Sequence, residues 1–176
     1  MRDLKVTDLV KRVGTSPATF YQYFSDVEDA VLHLALEASC EMPAIIELID
    51  GDWHGAKGVE RGRSIANAFI EHWDRHRAAL RVRNMASDEG NERFQAVRNE
   101  AMTPVLGALA NQIVTHRGSN FAPAENPHAA AAAMGAVLER LASYHVELEL
   151  IGVTRENLVE TSARILHRTV TNESLA

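Results

Sequence analysis

The run Gly14-Thr15-Ser16-Pro17 constrains this chain more than any other four residues. Before it, Leu9, Val10 and Val13 recur at helical spacing, and after it Phe20 and Phe24 lie four apart. A glycine just past a helix end supplies the positive φ that closes the helix. A serine followed by proline supplies an N-cap and a first helical residue that needs no backbone donor. Residues 6–24 are therefore predicted to form two short helices about a tight turn. Burying Phe20 and Phe24 turns Ala18, Thr19, Gln22 and Tyr23 outward. Two helices joined in this way make the helix-turn-helix pattern, whose second helix enters the major groove of DNA.

Thr7-Asp8-Leu9 followed by Arg12-Val13-Gly14-Thr15-Ser16-Pro17-Ala18-Thr19-Phe20-Tyr21-Gln22-Tyr23-Phe24 closely resembles the DNA-binding signature of TetR-family transcriptional regulators, over roughly residues 4–36. Beyond that the chain is similar to the family in length and all-helical character. The resemblance implies an all-α fold with a partial helix-turn-helix head over 1–36 and a ligand-binding, dimerising body over 37–176. It also implies a ligand-responsive repressor that binds a palindromic DNA operator as a homodimer through its last two helices. Ligand would shift a population of body arrangements and move the two heads off their one-turn spacing. The expected DNA contacts are Thr7, Arg12, Ser16, Pro17, Ala18, Thr19, Tyr21, Gln22 and Tyr23. Among them Gln22 suits an adenine edge, and the hydroxyls suit phosphates. Two departures stand out. The family's first head helix would lie before residue 4 and is expected to be missing, and Val27, between Asp26 and Glu28, stands where a phosphate-binding Lys is usual. The alternative reading is a helical dimer that binds a small molecule or protein but no longer binds DNA.

Charge agrees with a polarised molecule. The net charge is −6, yet residues 1–25 set Arg2, Lys5, Lys11 and Arg12 against Asp3 and Asp8, a net of +2 that leaves −8 for the rest. A basic head on an acidic body would orient on DNA. Cys40 is the single cysteine, so no internal disulfide can form and a reducing cytoplasm is expected. No apolar span of membrane length and no leader pattern is visible.

Downstream, helix signals follow one another. Ser25-Asp26-Val27-Glu28 reads as a capping box with Ser25 at the cap. The helix it opens is expected to reach Met42 or Ile49, with Ala30, Val31, Leu34 and Ala38 on one face and Cys40 buried within it. A loop over 50–58 precedes helices over 59–75, 76–87 and 92–116, the last interrupted or kinked by Pro104. A loop over 118–127 leads to two final helices, 128–151 and 154–171. Met134, Leu138, Leu141, His145 and Leu148 form one stripe on these helices and Leu158, Ser162, Ile165 and Leu166 another, a candidate four-helix seam with a second copy. Phe69, Trp73, Met85, Met102, Leu106, Leu138 and Tyr144 are large apolar or amphipathic residues on middle and late helices. A small lipophilic ligand could be held between them. His72 and His76 lie four apart, but no Glu directly follows His72, so the metalloprotease arrangement is excluded. No serine has a nucleophile-elbow context. No catalytic residue, metal or cofactor is expected.

Overall fold

The structure, a computed structural model, describes residues 5–118 and 126–173. Among them are eight α-helices and no strand. Most of the loop expected over 118–127 falls outside the described residues.

The head forms as its punctuation requires. Helix α1 (Val6–Val13) ends at Gly14, whose φ of 76° is the left-handed cap that other residues resist. Helix α2 (Pro17–Tyr23) starts at Ser16, whose hydroxyl accepts the Thr19 N–H at 3.1 Å.

Helix α3 (Val27–Ser39) departs from expectation in three ways. Its N-cap is Asp26, not Ser25. Asp26 accepts the Asp29 N–H at 2.7 Å, and the Asp29 carboxylate accepts the Ser25 N–H at 3.0 Å, a reciprocal box displaced by one residue. A carboxylate suits the positive helix end better than a hydroxyl does. The helix stops at Cys40, because Pro43 lacks the N–H that would bond the Ser39 carbonyl. Cys40 is thereby left exposed at the cap rather than buried, and a separate α4 (Met42–Ile49) follows. The core face is Leu32, Ala35 and Ala38, while Ala30 and Val31 are half-buried and Leu34 is exposed.

Helix α5 (Gly55–Asp88) merges the two helices expected over 59–75 and 76–87 and takes in the end of the expected loop. Its one break from helical geometry is at His76 (φ −114°, ψ 18°), the junction the periodicity had marked. Helix α6 (Glu92–Arg117) carries Pro104 within it and buries a stripe of Phe94, Val97, Ala101, Val105, Leu109 and Ile113 at helical spacing. Helices α7 (Pro127–Glu149) and α8 (Arg155–Thr171) complete the bundle, capped by Asn126 and Thr154.

Helix α5 is the pillar, packed against α3, α4, α6, α7 and α8. Gly62 permits a close backbone approach, since a Cβ there would lie 2.8 Å from the Ala163 backbone of α8. Ile65, Phe69 and Trp73 of α5 meet Val105, Leu109 and Ile113 of α6, with Leu138 of α7 and Leu166 of α8. Each such side chain contributes roughly 1.5–3 kcal/mol by leaving water. Trp53, in the α4–α5 connection, is wholly buried and donates its indole N–H to the Ile49 carbonyl at 2.9 Å.

One ionic group crosses this interior. Glu139 of α7 accepts from Arg98 of α6 at 2.6 Å, from Arg83 of α5 at 2.8 Å and from Asn84 at 3.2 Å. Burial opposes ionisation of Glu139. The hydrogen bond and charge of Arg98, and then the charge of Arg83, outweigh it and hold the carboxyl below its ordinary range. Burial acts on Arg83 in the opposite sense and lowers its pKa.

The head is packed far more loosely than this bundle. Val10 is the only buried side chain of α1 and α2, and Val13 is 77% exposed. An almost wholly apolar groove of about 560 Å³ runs between the head and the body, lined by Leu9, Val13, Phe20 and Phe24 on one side and Val31 and Val82 on the other.

Amide exchange over residues 6–24 should be orders of magnitude faster than over 128–170 in hydrogen-exchange mass spectrometry. Equal protection would show that the groove is covered in solution. Glu139→Gln should cost about 3 kcal/mol in urea unfolding at neutral pH, because it strands two guanidiniums. Since the folded pKa is lowered, that contribution is present above the ordinary carboxylate range and is lost as pH falls through the folded value. The wild-type and variant curves should therefore converge in acid.

Candidate functional site

The face expected to meet DNA is formed and open. Thr7, Arg12, Ser16, Pro17, Ala18, Thr19, Tyr21, Gln22 and Tyr23 are all exposed. Tyr21 and Tyr23 are 58% and 72% exposed, although both are aromatic. Phe20 holds the face in place, meeting Tyr21 edge-on at 5.6 Å and Phe24 at 5.4 Å between ring centroids. Ser16 and Thr19 share a hydroxyl–hydroxyl bond of 2.9 Å, so the cap itself pre-orients two of the polar groups. Thr19 and Tyr23 also border the apolar groove, and they face two surroundings at once.

The residues expected to line a ligand cavity do not form one chamber. Phe69, Trp73 and Met102 surround a small void of about 20 Å³ with Met42, His72, Leu80, Arg83, Glu139 and Ala142. That is room for about one water molecule. Met85 and Tyr144 instead line an outer hollow of about 570 Å³, with Arg77, Arg81, Asn84 and Arg140. Trp73 borders both spaces. Leu138 is buried in the core, and Leu106 packs across Gly135. The Trp73 indole N–H is buried without a hydrogen-bond partner, an unusual state for a polar group. Arg83 and Glu139 at the void were not anticipated. An acid in the run Leu138-Glu139-Arg140-Leu141 was the one available signal, and it looks like any solvated helix position until α6 is seen to lie over it.

The proposed seam of α7 and α8 turns largely inward. Leu138, His145, Leu158, Ser162 and Leu166 are buried within the chain's own core. An α-helix in a bundle presents its most apolar stripe to its own neighbours first. The outward apolar residues include Ala133, Ala136, Tyr144 and Val146 of α7, Leu150 and Ile151 just after it and, on α8, Ile165, which is 42% exposed.

His72 and His76 do share a helix face, with rings 5.2 Å apart, and both reach Glu41 at the α3–α4 junction. Glu41 lies 31 residues upstream of His72, so the sequence offered no reason to connect them.

No helix among the described residues is long and apolar enough to cross a membrane. No curated protein matches the chain. The family model described as "Tetracyclin repressor-like, C-terminal domain" matches residues 45–176, which takes in most of α4 and all of α5 to α8. This match rests on the body, whereas the signature at 7–24 rests on the head, and the two agree: the chain belongs to the TetR family of regulators.

Proposed function

We propose that this TetR-family regulator is a ligand-responsive repressor that reads a two-fold DNA site as a homodimer. Residues 1–36 would form part of its DNA-reading head and 37–176 its sensing and dimerising body. The observation that carries the reading is the exposed, cap-braced polar face of α2, attached to a body matching the family. Gln22 offers the paired donor and acceptor that an adenine edge requires, and Arg12 is placed for a phosphate. Dimerisation would use the outward faces of α7 and α8, where small alanines allow close helix approach around Ile165.

The ligand would enter past Trp73, which stands between the outer hollow and the inner void. Its unpartnered N–H favours a lipophilic ligand carrying at least one hydrogen-bond acceptor. Because the void is small, binding would select a more open arrangement of α5, α6 and α7. Helix α3 packs on α5 and α6 and leads directly back to α2, so such an opening would reach the head.

Two experiments test this reading. On an operator selected from random DNA, Gln22→Ala should cost about 1–3 kcal/mol at one base pair per half-site, and Arg12→Ala should weaken all sequences alike and lower the salt slope by about one. Absence of any sequence preference at low salt would refute the repressor function. In sedimentation, Ile165→Asp should convert a dimer into folded helical monomers, since the residue is exposed within one chain and only the seam would bury an unpaired carboxylate. A wild-type monomer at micromolar concentration would remove the dimer.

A further inference from the structure

We infer that Glu41, His72 and His76 form a binding site for a single divalent transition-metal ion of the zinc type. The Glu41 carboxylate lies 3.2 Å from His72 Nδ1 and 2.8 Å from His76 Nε2, and all three donor atoms lie within 4.8 Å of one another. Two imidazoles and one carboxylate with an open fourth position are a recurrent zinc donor set, with metal–ligand distances of about 2.0–2.2 Å. Tetrahedral ligands at those distances stand about 3.3–3.5 Å apart, so the two contacts to Glu41 need only open by a few tenths of an ångström and the three donors, all within 4.8 Å, need only a small side-chain adjustment. The set does not suit a hard cation, because nitrogen supplies two of the three donors.

The donors come from two elements that nothing local would bring together. Glu41 sits in the break between α3 and α4 that Pro43 enforces. His76 sits at the single non-helical residue of α5, one turn from His72. His72 is buried while Glu41 is about one-third exposed, so the site has a walled side and an entry side. Arg75, at 2.5 Å from Glu41, offers the carboxylate a competing positive charge and would be released on metal binding. The side chain of Arg75 is 58% exposed and can swing away into solvent.

The test is titration of the untagged, metal-stripped protein with Zn²⁺ by calorimetry and with Co²⁺ by visible absorption. The expected result is one ion per chain at micromolar affinity or tighter, with the d–d bands of four-coordinate Co²⁺. The melting temperature should rise by roughly 5–10 °C at a hundredfold excess over Kd. Glu41→Gln, which keeps size and shape, and His76→Ala should each weaken binding at least about tenfold with unchanged circular dichroism. Arg75→Ala should bind at least as tightly as wild type, because it removes only the competitor. A second histidine pair, His54 and His116, has ring centroids 5.0 Å apart, and His116→Ala should leave binding unchanged. The inference is overturned by the absence of saturable binding at 100-fold excess of metal over micromolar protein, by binding that survives His76→Ala with Glu41→Gln, or by loss of binding in Arg75→Ala.

Discussion

Everything else in this molecule is arranged around the burial of α5. At about 1.5 Å per residue a helix of this length approaches 50 Å, and five other helices pack on it. A helix so surrounded cannot keep one polar face along its whole length. Its sequence answers with glycines where α8 comes close, at Gly58 and Gly62, with large apolar residues at Ile65, Phe69 and Trp73, and with a break at His76. Beyond that break the helix changes partners, and its polar groups, Arg83 and Asn84, turn toward Glu139 of α7.

The same constraint explains why polar chemistry is found inside a mostly apolar bundle. A guanidinium as buried as Arg83 is tolerable only beside a carboxylate, and Glu139 serves two of them. The void beside this group is lined by both apolar and charged side chains, among them Trp73, whose N–H is unpartnered. A fully apolar core would be simpler to pack, and in the proposed function it would have nothing with which to distinguish one ligand from another. The interior therefore combines rigidity, from three helices tied through Glu139, with an unmet hydrogen-bonding demand at Trp73.

Against this body the head is lightly held. Its two helices bury one side chain between them and border an apolar groove rather than a filled interface. In the proposed function this contrast is useful: a stiff sensor transmits small rearrangements through α3, and a weakly anchored reader responds to them. The α3–α4 junction, where Glu41 meets α5, lies on that route.

Local chemistry determined much of this from sequence alone. Gly14, Ser16 and Pro17 specify the two-helix head because caps and turns depend on neighbouring residues only, and the apolar stripe of α6 was readable for the same reason. Even the discontinuity at His76 showed in the periodicity. What tertiary structure decided is every question of which face meets which neighbour. The stripe of α7 and α8 that could have served a second copy is used by the chain's own core, and Cys40 is exposed because a proline three residues on ends its helix. The seven residues chosen as one ligand cavity divide between an inner void, an outer hollow and solid core. Glu41 joins His72 and His76, and Glu139 joins Arg83 and Arg98, across separations of 31 to 56 residues. Those pairings follow from helix packing, which depends on the whole bundle at once, and no spacing within a single segment encodes them.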